Sequence, residues 1–518
     1  MLIAAPSALA APGGGGKGKG KGHHGHHHYK HSDSKKLRDR VTLRGMLEHQ
    51  AALQRIAIAN DDNRAATTSG YDASVDYVAG KLRAAGYTVT FDEFDFPIWD
   101  ITKPSTFAKV TPAPAVTYVE DTDYIVAQFS SSANLTGATV VPTNGIDLTP
   151  DGGPGTGTSG CEATDFPATT AGNVALMQRG TCAFTAKYQN AKNAGAIGAI
   201  IFNDGFDGRT APLPTTATAN IGIPTLMTSS AIGAALISGG TVNIVINATT
   251  TPNNEVNVIA DSRRGDRDRT ILVGAHLDSV EEGPGINDNG SGSSAILEIA
   301  EQMARVKQPR NHVRFAFWGA EEAGLVGSTA YVADQVASGG INDIEANLNF
   351  DMLASPNFVR FVYDGDASAF PPPVGGAPAG SAQIEQVFLR YFERKGLVTD
   401  PTAFDGRSDY GAFIANGVPA GGLFSGAEGI KTAAQEARYG GFAGLAYDPC
   451  YHQACDTFFN QSYTSLDQMS DAAAHTTWVL SSSRTPVSER SATSSARKKS
   501  KRMNRMNRWK YKGSYRVQ

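Results

Sequence analysis

No apolar run in this chain reaches the roughly 18 residues that a membrane-crossing helix needs, so no transmembrane helix is expected. Cysteine is scarce. The four present fall into two local pairs, Cys161 with Cys182 and Cys450 with Cys455. Local, even pairing suggests disulfides in an oxidising compartment, with zinc ligation as the rival use of these thiols. A strong charge of one sign is also lacking: 46 Lys and Arg stand against 50 Asp and Glu, a formal net charge of −4. The two ends are basic, so the body between them is more acidic than the total shows. That body is a poor candidate for sequence-specific nucleic-acid binding.

What is present suits a globular, exported protein. A chain of 518 residues, 41% hydrophobic and 19% charged, can build two or three domains with substantial cores. Met1 to Pro12 has the look of the end of a secretory signal, with Ala8-Leu9-Ala10 as the cleavage site. It has no basic n-region and only a short apolar core, so the signal is expected to begin upstream of Met1. Gly, Lys and His residues follow, including His23, His24, His26, His27 and His28. Residues 1–36 are therefore read as signal remnant plus flexible linker, with metal capture as the rival. Residues 484–518 are Ser-rich and then basic, with Lys498, Lys499, Lys501, Arg502, Arg505 and Arg508, the composition of a disordered tail. Attachment to anionic polymers or nucleic acid and removal on maturation stay open for it.

The densest chemistry lies where short apolar runs stop. Thr270-Ile271-Leu272-Val273 reads as a strand buried on both faces and runs into Gly274-Ala275-His276-Leu277-Asp278-Ser279. A glycine-rich loop with Asp288 comes next, and then a helical pattern from about Ser293 to Met303. Two more strand ends repeat the arrangement. His312 to Trp318 leads into Gly319-Ala320-Glu321-Glu322, and Leu348-Asn349-Phe350 leads into Asp351. His452 sits between Cys450 and Cys455. A lone His-x-Asp is usually a structural pair, and adjacent glutamates are usually a solvated turn. Four such clusters, three of them closing apolar strands, make coincidence improbable, because in open α/β sheets functional groups collect at strand ends. Two histidines and three carboxylates suit a pair of zinc ions bridged by one carboxylate. Such ions, about 3.5–4 Å apart, can clamp an attacking hydroxide and a carbonyl oxygen together.

With these motifs in view the chain closely resembles secreted di-zinc aminopeptidases of metallopeptidase family 28, of the streptomycete and leucyl-aminopeptidase type. The resemblance covers Leu53 to Val78 and resumes near Asn254 as far as about Ser481. Its most specific stretches are GAHLDSV, GINDNGSGS, FWGAEEAGLVGS, NLNFDML, GRSDYGAF and YDPCYHQACDT, which begin at Gly274, Gly285, Phe317, Asn347, Gly406 and Tyr447. Carried over by position, the resemblance implies one zinc on His276 and Asp351, another on Glu322 and His452, and Asp288 bridging both. It implies Glu321 as general base, shuttling a proton from water to the leaving amine. Asp278 is expected to accept the second ring N–H of His276. Tyr451 and Arg407 match positions that stabilise the tetrahedral intermediate and hold the substrate. Glu321 and Asp351 lie nearest to a substrate ammonium, and Phe424 matches a position lining an apolar side-chain pocket, so Leu-like or other apolar residues are the expected preference. Asp467 and Asp471 match a calcium site of streptomycete relatives, but Arg40 stands roughly where an Asp is expected. Two solvated helix carboxylates are therefore the favoured reading there.

A second resemblance interrupts the first. Gly172 to Phe184, Lys187 and Asn190 to Asn203 resemble the protease-associated domain, placed at about 121–250 between peptidase segments 37–120 and 251–483. Asn190 to Gly195 reads as a helix leading into a strand from Ile197 to Phe202. The insert carries no catalytic constellation and is expected to act as a lid or substrate-access module, with a purely structural role as the rival. The implied architecture is α/β: a mixed, mostly parallel sheet flanked by helices on both faces, with a β-rich insert. The implied activity is hydrolysis of single residues from free amino termini of peptides, by a protein expected to be monomeric. The alternatives are a dipeptidase or carboxypeptidase on the same scaffold, with Arg407 binding a carboxylate, and a non-catalytic peptide binder. Glutaminyl cyclases share the fold, but a full two-metal ligand set argues against them.

Overall fold

The computed structural model describes residues 34–149, 156–206, 209–213, 221–307, 309–372 and 376–487. The signal remnant, most of the His-rich linker and the basic tail from 488 onwards lie outside the described residues. Eight strands form the central sheet, in the order Thr88–Asp95, Asn254–Asp261, Asn311–Trp318, Asp266–His276, Ile344–Phe350, Ala420–Phe424, Phe361–Tyr363 and Asp400–Thr402. Its middle four strands are parallel, and antiparallel pairs join the others to them at both sides.

Period-two alternation sorts the apolar side chains of these strands onto two faces. Ile271, Val273 and Ala275 share one core with Val313, Phe315 and Phe317. Leu272 points the other way, into a core with Ala316 and Trp318. Helices Leu43–Ala59, Ser69–Ala85, Gly290–Ala304 and Tyr463–Ser482 cover the first face. Helix Val326–Ser338 and the short helix Tyr410–Ala415 contribute Tyr331, Val332 and Phe413 to the second. Burial on both sides is why these strands read as near-continuous apolar runs. Their register sets the site: His276 pairs with Trp318, Gly274 with Asn349 and Phe350 with Leu423. The residues after each strand therefore emerge at one edge.

The second sheet also has eight strands, in the order Val116–Tyr118, Ile98–Thr111, Thr241–Thr251, Ala133–Pro142, Val174–Gln178, Gly198–Phe202, Thr225–Thr228 and Tyr124–Val126. It thus reaches upstream of residue 121, because Ile98–Thr111 pairs along its length with Thr241–Thr251. The two crossing segments form one ribbon. Asp95 faces Asn254 in the central sheet, and Ile98 faces Thr251 in the second, with only Phe96 and Pro97 between. The helix expected over Asn190 to Gly195 runs instead over Phe184–Asn193. Gly195, at φ +79°, makes the turn that ends it, and the strand begins at Gly198. Glycine tolerates that left-handed backbone at no steric cost, which is why the helical pattern breaks there.

Candidate active site

His276 is the last residue of its strand and is buried. Its Nε2 lies 3.2 Å from Asp288 Oδ1 and 3.2 Å from Asp351 Oδ1. His452 Nε2 lies 3.3 Å from Asp288 Oδ2 and 3.0 Å from Glu322 Oε2. Five side chains from five chain segments therefore form two trios that share the two oxygens of Asp288. Glu321 reaches the same space, its Oε2 4.0 Å from His276 Nε2.

Each group is held from outside the trios. Ser408 Oγ donates to Asp351 Oδ2 at 2.6 Å and itself accepts from Asn349 Nδ2 at 2.7 Å. Asp456 accepts the backbone N–H groups of Asn287 and Asp288, at 2.8 and 2.9 Å. The turn that carries His452 thus also fixes the loop that carries Asp288. Arg64, fully buried, donates to the carbonyls of Leu277, Pro284 and Gly285 and fastens the two ends of that loop. Cys450 and Cys455 are disulfide-bonded around Tyr451 and His452, and Cys161 and Cys182 are bonded in the second sheet's domain.

Asp278 differs in part from expectation. His276 Nδ1 lies 3.2 Å from the backbone carbonyl of Asp278 and 3.6 Å from its carboxylate. The carboxylate accepts the N–H groups of Glu321 and Glu322, each at 3.2 Å. It orients the pair of glutamates at least as much as the imidazole. Arg407 Nη1 donates to Glu428 Oε1 at 2.8 Å, and its Nη2 donates to Tyr451 Oη at 3.2 Å. Tyr451 stacks on His452 at 3.8 Å between ring centroids. A small cavity of about 70 Å³ joins Asp288, Glu321, Glu322 and Asp351 to Phe424, Met352 and Tyr363.

Crowded carboxylates shape the titration of the site. Burial, with Glu322, Asp351 and Asp409 close by, raises Glu321 well above the usual carboxylate range despite His276. Burial and Asp288 push Glu322 up to about 7. Burial opposes a charge on His452, but its hydrogen bonds to Asp288 and Glu322 raise it to about 10. Asp409, also buried, goes up to about 7.

The supposed calcium position is occupied by protein cations. Asp471 lies 3.0 Å from Arg38 Nη1 and 3.1 Å from Lys395 Nζ, and Tyr391 donates to it as well. The amino-terminal segment thus meets Asp471 through Arg38, a cation, where a calcium site would need an acidic residue. The residues missed by sequence reading are Arg64, Ser408, Asp409, Glu428 and Asp456. Ser408 and Asp409 stand inside the GRSDYGAF stretch and Asp456 inside YDPCYHQACDT, so those motifs carried the signal; Arg64 and Glu428 carry none beyond their contacts.

Residues 257–477 match peptidase family M28, and residues 136–236 match the PA domain. The chain is 46% identical over 434 residues to an aminopeptidase of Pseudomonas aeruginosa (strain UCBPP-PA14), covering 83% of this chain and 79% of that one. It is 38% identical over 442 residues to leucine aminopeptidase 2 of Arthroderma otae, covering 82% and 81%. In fold it is similar to BSAP, a zinc aminopeptidase from Bacillus subtilis, at TM-score 0.55 and 22% identity, covering 84% of this chain and 94% of that one.

Proposed function

The chain belongs to peptidase family M28 and is an aminopeptidase with an inserted PA domain, and we propose that it removes single Leu-like or other apolar residues from free amino termini through a two-zinc site. The observation that carries this reading is the pair of trios sharing Asp288 beside a small, partly apolar cavity. The donor set fits zinc. Imidazole nitrogens and carboxylate oxygens are its ordinary ligands, and a buried Glu322 Oε1 has no hydrogen-bond partner among the described residues. His276 and Asp351 would hold one ion, Glu322 and His452 the other, and Asp288 both. When bound, the zinc pair supplies Lewis acidity toward the attacking water and the scissile carbonyl oxygen.

The remaining work falls to side chains of this protein. Glu321 takes a proton from the water at its carboxylate and delivers it to the leaving amine. Its carboxylate reaches into the donor cluster, 4.0 Å from His276 Nε2, without belonging to either trio. Because Tyr451 Oη already accepts from Arg407, its own proton is free for the developing oxyanion. Glu321 and Asp351 receive the substrate ammonium, and Phe424, Met352 and Tyr363 bound the space for the first side chain. Asp278 is a positioning residue, acting through the Glu321 and Glu322 backbone and through His276. The rival carboxypeptidase reading needs a free cation, and Arg407 is already paired with Glu428.

Two disulfides favour an extracellular home, and no helix among the described residues is long and apolar enough to cross a membrane. A monomer suffices for the chemistry, because all the site residues come from one chain. Hydrolysis of Leu-p-nitroanilide against its N-acetyl analogue tests the reading. Release of nitroaniline only from the free amine is expected. Cleavage of the acetylated compound at a similar rate would remove the ammonium-binding role of Glu321 and Asp351.

A further inference from the structure

A second cavity meets the side-chain pocket at Glu322, which lines both. It measures about 390 Å³ and lies between the two domains. Phe96, Pro97 and Trp99, from the ribbon that joins the sheets, form one wall with Phe129. Asp278, Val280 and Ala323 form the other. Trp99 is fixed in place, its Nε1 donating to the Ser130 carbonyl at 2.9 Å and its ring 6.4 Å from that of Phe129. The rim carries three exposed carboxylates, Asp100, Glu281 and Glu282, none of which forms an ion pair among the described residues. The described lining contains no Lys, Arg or His.

This groove is continuous with the metal-ligand cluster, since Glu322 lines both cavities. The loop bearing Glu281 and Glu282 also sits on the His452 turn. A Cβ at Gly283 would lie 2.4 Å from the Gln453 carbonyl, too close for any side chain there. A larger cavity of about 480 Å³ shares Thr402, Arg407, Phe424 and Ala427 with the side-chain pocket. That one adjoins Phe424, the wall assigned above to the first side chain, and none of the five proposed ligands lines it. The interdomain groove, by contrast, is lined by the proposed ligand Glu322 and by Asp278.

Resting on the aminopeptidase reading above, we propose that this interdomain groove binds the residues downstream of the cleaved bond. It selects oligopeptides with aromatic and basic side chains there and disfavours acidic ones. The aromatic wall supplies apolar contact, and the three rim carboxylates supply a field that attracts a cation and repels an anion. Very short peptides are disfavoured for the same reason, because their C-terminal carboxylate falls among Asp100, Glu281 and Glu282. The second sheet's domain thereby acts on specificity through Trp99, Asp100 and Phe129 without touching the reacting bond.

The test compares Leu-Gly-Phe-Lys-amide, Leu-Gly-Phe-Glu-amide and Leu-p-nitroanilide on the full chain and on an Asp100→Asn, Glu281→Gln, Glu282→Gln triple variant. Zinc content and melting temperature establish that the variant is folded. For the unaltered chain, kcat/KM should favour the Lys peptide over the Glu peptide roughly tenfold, as expected for a few exposed charge contacts. The gap should narrow at high ionic strength, where exposed charges are screened. In the triple variant the ratio should fall toward one. Equal kcat/KM for the two peptides on the unaltered chain, or an undiminished ratio in the variant, overturns the proposal. Absence of Leu-p-nitroanilide cleavage would instead overturn the aminopeptidase reading, so the two failures are distinct.

Discussion

Glu321 and Glu322 are neighbours with different proposed duties, and substitution separates them. Glu322 Oε2 faces His452 Nε2, whereas Glu321 lies nearest to His276 and has no part in the His452 trio. Glu321→Gln should keep two zinc ions and lose roughly 10²–10⁴-fold in kcat, the usual worth of a general acid–base group. Glu322→Gln should lose zinc as well as activity, since it removes an anionic ligand. Metal stoichiometry and kcat, measured on both variants, check this. Loss of zinc from the first and retention by the second would reverse the assignment. The five proposed ligands were legible in the sequence because each sits in a short motif: at the end of an apolar strand, in the glycine-rich loop that follows one, or in a cysteine-flanked turn. Arg64 was not legible. Its importance lies in three carbonyls more than 200 positions away, and a lone Arg in a loop announces nothing of that kind.

Among elements, the parallel strands were the easiest to foresee. Ile271 to Val273 and Phe315 to Phe317 are apolar on both faces, and the structure buries both faces under helices. The insert's helix was misplaced because Asn, Ala and Gly around Asn190 to Gly195 give a weak period, and the left-handed Gly195 decided where the helix ended. Edge pairing was also out of reach, since the second sheet's start depends on a partner strand more than 100 residues on. One buried tie between elements has a clear energetic consequence. Arg269 and Glu345, on adjacent parallel strands, pair at 2.7 Å, and Arg269 also donates to the carbonyls of Ser483, Arg484 and Thr485. Removing Glu345 with Glu345→Ala strands a buried charge and should cost about 3–5 kcal/mol, read by denaturant unfolding. At the helix Tyr463–Ser482, Arg38 and Lys395 already neutralise Asp471. Added calcium should therefore leave the melting temperature unchanged, whereas Arg38→Ala should lower it. A calcium-dependent rise in the unaltered chain would contradict that account.

At the scale of the whole molecule, two sheets hang on one ribbon, and the working surfaces lie at their junction. The central sheet brings His276, Glu322 and Asp351 to one edge, and the ribbon at Phe96 and Pro97 sets the second domain beside Glu322. That juxtaposition could not be read from the sequence, because neither domain's motifs refer to the other. The central claim is that two cations share Asp288, and zinc titration of the chelator-stripped protein tests it most directly. Activity should remain far below maximum after one equivalent of zinc and reach its plateau near two, with about two equivalents retained after dialysis. Full activity at one tightly held equivalent would contradict it.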